Sequence, residues 1–101
     1  MRVLVFFDLP TETNEDRKNY RHFRKFLLNN GFFMLQESVY CRMVLNQSVE
    51  KSVRALMRKN KPPKGNVQVI SITEKQFNAM EFISGEYDSD MIDSDSRVVI
   101  L

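Results

Sequence analysis

An α+β fold, with two helices on one face of an antiparallel sheet, is predicted by three observations on this 101-residue chain. Extended apolar runs over 3–7, 32–45 and 66–72 carry no helical period and are rich in β-branched and aromatic residues. Two segments between them repeat apolar residues at three- and four-residue spacings, as a one-sided helix does. The two kinds of segment alternate along the chain and do not cluster. A hydrophobic content of 43% with eight Phe is enough for one core and too little for two. The chain therefore reads as a single domain over 1–101, with a core over 1–84, an acidic flexible loop over 85–96 and a last strand over 97–101.

The first strand covers Val3 to Phe7, and its composition suits a strand covered on both faces. Asp8 closes it and Pro10 stops the ladder. A carboxylate at the end of a buried strand needs a helix N-terminus, a cation or a second chain, because burial without a partner costs several kcal/mol. The first helix starts with Thr13 as cap and Glu12, Glu15 and Asp16 at the positive end of its dipole. It runs to Leu28 or Asn29, with Tyr20, Phe23 and Leu27 toward the core and Asn30-Gly31 as stop. Phe32 to Leu45 is too long for one ordinary strand, so a bend or tight hairpin is placed near Gln36 to Ser38. Its odd positions are apolar apart from Glu37. Asn46 caps a second helix carrying Val49, Val53, Leu56 and Met57 inward. A stiff basic loop, Lys59 to Gly65, leads to a core strand over Asn66 to Ile72, and Thr73 with Gln76 forms the capping box of a short helix. Gly85 to Ser96 holds five acids and no base, which predicts a flexible loop. Arg97 to Leu101 then reads as a strand that pairs with a second copy, since its edge would otherwise be open to aggregation. A homodimer follows.

The net charge of +2 conceals a segregation. Between Arg17 and Lys64 twelve Lys or Arg stand against Glu37 and Glu50, a local balance of +10. The first sixteen residues carry −3 and residues 65–101 carry −5. Such a block makes the domain a candidate polyanion binder, the other reading of a charged helix face being a merely solvated one. Arg17, Lys18, Arg21, Arg24 and Lys25 on the first helix, with Arg54 and Arg58 on the second, are the candidate nucleic-acid contacts. Cys41 and His22 are each alone, which excludes an internal disulfide and a cysteine-based zinc cluster and leaves no local nucleophile dyad. No apolar stretch reaches the roughly 20 residues of a membrane span, and no secretory leader is evident, so a cytoplasmic protein without membrane contact is expected.

The strand ending Phe7-Asp8-Leu9-Pro10, the Tyr- and Arg-rich helix over Arg17 to Phe26, Leu35-Gln36-Glu37-Ser38-Val39-Tyr40, and Asn66 to Thr73 together resemble the CRISPR-associated protein two family. This is the small dimeric partner of the spacer integrase, and the likeness is nearest to the branch that accompanies single-protein RNA-guided effectors (type II). The resemblance implies a ferredoxin-like βαββαβ sandwich with an extra C-terminal strand, dimerising so that sheets stack. It implies that Asp8 is the functional aspartate, catalytic and metal-binding, with the two copies near one another at the interface and Mg²⁺ relieving their repulsion. It further implies binding of double-stranded DNA, bridging of integrase subunits, and Mg²⁺-dependent phosphodiester cleavage. The chain departs from the family pattern at Met34, where many members carry a base, and at Tyr40, where Phe is commoner. The missing base would remove a phosphate ligand close to the metal. Two other classes remain open at this level: a toxin-type ribonuclease of related fold and a small-ligand regulatory module. With three Gly and no phosphate-cradling loop, the chain argues against the second of these.

Overall fold

The computed structural model describes residues 1–86. Strand β1 (Arg2–Asp8) is followed by α1 (Asn14–Asn29), β2 (Phe33–Gln36), β3 (Val39–Met43), α2 (Gln47–Lys59), β4 (Asn66–Ile72) and the short α3 (Glu74–Asn78). The sheet order is β2-β3-β1-β4, with every neighbouring pair antiparallel. The expected strand over 97–101, and the acidic loop beyond Glu86, lie outside the described residues.

Local chemistry accounts for the boundaries. Thr13 caps α1 in a reciprocal box with Asp16: the Asp16 N–H donates to Thr13 Oγ1 at 3.0 Å and the Thr13 N–H donates to Asp16 Oδ2 at 3.2 Å. Gly31, at φ +86°, turns the chain out of α1. The long extended segment folds into a hairpin whose turn sits at Glu37-Ser38, with Ser38 at φ +67° and a register shift between Met34 and Gln36. Asn46 caps α2 by accepting from the Val49 N–H at 2.9 Å. The Thr73–Gln76 box opens α3 as expected.

Strand pleating divides β1 into two unlike faces. Val3, Val5 and Phe7 point to the helices and join Phe23, Leu27, Tyr40, Val53 and Met57 in one core. Phe7 lies at its centre, with ring centroids 5.3 Å from Phe23, 5.6 Å from Tyr40 and 5.8 Å from Tyr20. Arg2, Leu4, Phe6 and Asp8 point to the opposite side. The expectation of a first strand covered on both faces is therefore corrected: both long helices lie on one side, and Phe6 is 39% exposed on the other. The hairpin shows the same division. Tyr40 stands opposite Val5 and is buried on the helix side, so Phe33, Val39, Cys41 and Met43 belong to the open side. β4 pairs only with β1 and ends the sheet among the described residues, and its Val67 and Val69 pack on the core as the alternation predicted.

α3 closes one end of the open side. Arg2 donates from Nε to Glu74 Oε2 at 3.0 Å and lies 4.1 Å from the centre of the Phe77 ring, while the Met1 ammonium stands 3.6 Å from the same carboxylate. Cys41 is sealed beneath Arg2, and burial pushes its thiol up, which makes it an inert core residue. At the other end of the sheet the open side is bare. Tyr40→Ala empties the centre of the core and is expected to lower the unfolding free energy by about 3 to 5 kcal/mol in urea denaturation; a loss below about 1 kcal/mol would show that Tyr40 does not organise it.

Candidate nucleic-acid and metal site

The bare end of the open side is built around Asp8. Because Asp8 shares the phase of Arg2, Leu4 and Phe6, its side chain leaves the strand on the side away from α1 and α2. It stands opposite Asn66 in the β1–β4 register. A cleft of about 550 Å³ opens there, lined by Phe6, Phe7, Asp8, Ser38, Val39, Asn66, Val67 and Gln68. Asp8 is exposed in the single chain, so its own chain does not bury it and burial of this carboxylate would have to come from a second chain. It does not cap α1 either, since Thr13 and Asp16 do.

Met34, where the family pattern often has a base, faces the other way. It is cross-strand partner of Tyr40 and packs on the core, so its identity removes no ligand from the Asp8 cleft. The expected loss of a phosphate contact beside the metal is therefore not what this substitution does.

The basic candidates separate into two groups. Arg17 donates to the Thr11 carbonyl at 3.0 Å, to the Glu12 carbonyl at 3.2 Å and to Asn14 Oδ1, so it binds the segment leading into its own helix. Arg54 is held by Glu50 at 3.0 Å and donates to Ser71 Oγ at 2.9 Å, while the Ser71 hydroxyl donates to the same Glu50 carboxylate. This three-residue staple ties α2 to β4. Lys18, Arg21, Arg24, Lys25 and Arg58 are exposed and meet no carboxylate among the described residues. Sequence patterning could place all seven on helix surfaces but could not tell which were engaged, because the Ser71 staple comes from tertiary placement and the carbonyls held by Arg17, though local, depend on how the chain turns into α1.

Two features were not among the candidates. A groove of about 380 Å³ between α2 and β4 holds Arg58 and Lys61. Lys64 stands 3.5 Å from Asp16 Oδ1, an oxygen that has no hydrogen-bond partner. The density of bases in Lys59 to Lys64 was the available signal for both.

Among the described residues no group of three or more His, Cys, Asp or Glu converges on one point. One chain thus offers a cation the single carboxylate of Asp8, with oxygens of Ser38 and Asn66 in the same cleft. Hard oxygen donors, few in number, fit Mg²⁺, which keeps most of its waters and takes one or two carboxylates with phosphate oxygens.

Strand order β2-β3-β1-β4 in a βαββαβ chain, with both long helices on one side, defines a ferredoxin-like α+β domain. A crystal structure of Streptococcus pyogenes Cas2 at pH 6.5 shares this fold at a TM-score of 0.60 and 24% identity, covering 83% of this chain and all of that one. The chain belongs to the Cas2 family: the model of the CRISPR associated protein Cas2 family matches residues 1–80. Similar proteins include the CRISPR-associated endoribonuclease Cas2 of Treponema denticola, 50% identical over the whole of both chains, and that of Streptococcus mutans serotype c strain UA159, 48% identical over all of this chain and 93% of the relative.

Two carboxyls outside the cleft make stability depend on pH. Burial alone would raise Asp16, but the Thr13 backbone N–H, its hydroxyl and the Lys64 ammonium outweigh burial and hold it below the usual carboxylate range. The Ser71 hydroxyl, then the Arg54 guanidinium, hold Glu50 low as well. Each contributes its stability in full above the unfolded pKa of about 4 and loses it as pH falls through the lowered folded range. Thermal melts between neutral pH and about pH 3 should show this acid loss, with a shallower profile in Asp16→Asn. Superimposable profiles would remove Asp16 from the account.

Proposed function

We propose that this chain acts in CRISPR adaptation as a homodimer that binds double-stranded DNA and bridges integrase subunits, and that its paired Asp8 carboxylates form a Mg²⁺-dependent phosphodiesterase site. The observation that carries the reading is the open sheet side, which presents Phe6, Ile70 and Met43 on the same face as Asp8, a face that neither long helix covers. An apolar face of this kind suits a second copy of the same chain. Stacking two such faces brings two Asp8 side chains into one interface and desolvates them together, the setting in which like charges demand a cation.

Asp8 of each copy would hold the ion, with Ser38 and Asn66 supplying nearby neutral oxygens. When bound, Mg²⁺ supplies Lewis-acid polarisation of a phosphate oxygen. The chain's own contribution is to present the carboxylates from the rigid end of the central strand and to hold the nucleic-acid backbone on its cationic surface. The relatives carry the name endoribonuclease, which agrees with phosphodiester hydrolysis as the class of reaction and makes RNA a substrate to test beside DNA.

Lys18, Arg21, Arg24, Lys25 and Arg58 serve the platform best, because they are exposed and free of carboxylates among the described residues. Arg17 and Arg54 contribute mainly by fixing the elements that carry them. Phosphate contacts of this kind position a duplex without reading its sequence. The double variant Arg21→Ala/Arg24→Ala should weaken duplex binding and reduce the slope of log affinity against log salt by about 2, at roughly 0.9 per lost contact. An unchanged slope would move the platform elsewhere.

Asp8→Ala separates catalysis from architecture. Metal-dependent cleavage of RNA and DNA should fall by about 100-fold or more, as it does when a preorganised electrostatic group is lost. The dimer, duplex binding and integration of a short duplex by the purified integrase should persist. Cleavage at the original rate excludes the phosphodiesterase site; loss of integration by a variant that still dimerises and binds integrase excludes the architectural role.

A further inference from the structure

The loop that leads into β4 lies directly on the main chain of Asp8. Gly65 adopts φ +92°, and a Cβ there would come within 2.6 Å of the Asp8 carbonyl oxygen and 2.7 Å of Leu9 Cδ2. Only a glycine tolerates both the conformation and the approach. One residue earlier, Lys64 reaches across to Asp16 at 3.5 Å. Asp16 is no mobile surface acid: it is buried, locked to Thr13 by two hydrogen bonds, and its Oδ1 has no hydrogen-bond partner apart from this ammonium approach. The loop is thereby attached to the first turn of α1 on one side and pressed on Asp8-Leu9 on the other, immediately before Asn66 pairs with Asp8.

We propose that Gly65 and the Lys64–Asp16 bridge are positioning elements for Asp8, holding the β4-leading loop against the Asp8-Leu9 main chain and so setting the direction in which the Asp8 carboxylate leaves the strand. The inference rests on the reading of Asp8 as a cation ligand. It assigns a role to Lys64 that differs from phosphate binding, and to Asp16 that differs from helix capping. Asp8 is the last residue of its strand, so beyond it no ladder fixes the backbone and the loop substitutes for one.

Charge makes the test directional. Lys64 is a cation, so its removal by electrostatics alone would not weaken binding of a divalent ion. Positioning predicts the reverse. Mn²⁺ titration of the full chain by electron paramagnetic resonance should show affinity lowered about 10-fold in Gly65→Ala and by a smaller factor in Lys64→Met, with Lys64→Arg close to wild type, as expected when an outer-shell support is lost. In the metal-free protein the backbone amide resonances of Asp8 and Leu9 should shift in Lys64→Met and return in Lys64→Arg. Lys64 is mostly exposed, so Lys64→Met keeps the test available if Gly65→Ala does not fold. Equal or tighter Mn²⁺ binding in Lys64→Met overturns the proposal. Should wild type and Asp8→Ala bind Mn²⁺ alike, the metal reading of Asp8 fails, and the amide resonances alone then decide the positioning claim: unmoved in both variants, they overturn it.

Discussion

The molecule depends on a pleat with helices on one side only. β1 is one of the two interior strands, bonded on both edges, and its alternate residues sort into Val3, Val5 and Phe7 against the helices and Leu4, Phe6 and Asp8 away from them. Burial of the first set supplies the main driving force, since large aliphatic and aromatic side chains contribute about 1.5 to 3 kcal/mol each when removed from water. The second set inherits its direction from the first. Asp8 faces outward because Phe7 faces inward, and a slip of one residue in the β1–β3 register would exchange them. The candidate site is thus a by-product of core packing in the most constrained strand.

Both ends of the open side are organised, by different means. At the Arg2 end, a salt bridge to Glu74, the Met1 ammonium and the Phe77 ring draw α3 over the sheet. At the Asp8 end there is a cleft, bordered by the Ser38 turn and the start of β4. This asymmetry separates a covered half from an available one, and the exposed apolar side chains of this side, Phe6 near Asp8, Ile70 opposite Leu4 and Met43 opposite Arg2, are what a second copy would cover. The cationic surface of α1 lies on the opposite layer, so a nucleic acid held there and a partner held on the open side do not compete for the same residues.

Much of this was legible from residue types. Caps and stops that act within four residues, such as Thr13 with Asp16, Asn46 and Thr73 with Gln76, could be placed because both partners lie in one window of sequence. The hairpin turn near Ser38 was placed by length alone, with no Gly or Pro to mark it. Which face of a strand meets the helices was less legible: β1 and the hairpin carry apolar residues in both phases, and only the shared core around Phe7 decides between Tyr40 and Cys41 as the inward position. Asp8 was identified as the key acid from its place after an apolar run, yet its exposure could not be inferred, because that depends on where α1 and α2 both pack. The engagement of Arg54 by Ser71 likewise depends on a partner brought close by folding.

The most direct test of the one-sided sheet is the mass in solution of the wild-type chain and of Ile70→Asp, measured by sedimentation equilibrium with circular dichroism as the check on folding. Ile70 is half exposed on the open side opposite Leu4, so the charge costs the isolated domain little and a stacked interface a great deal. Stacking of two open sides predicts a two-chain mass for wild type and a folded, one-chain mass for Ile70→Asp. A two-chain mass for both, or a one-chain mass for wild type at micromolar concentration, would contradict it.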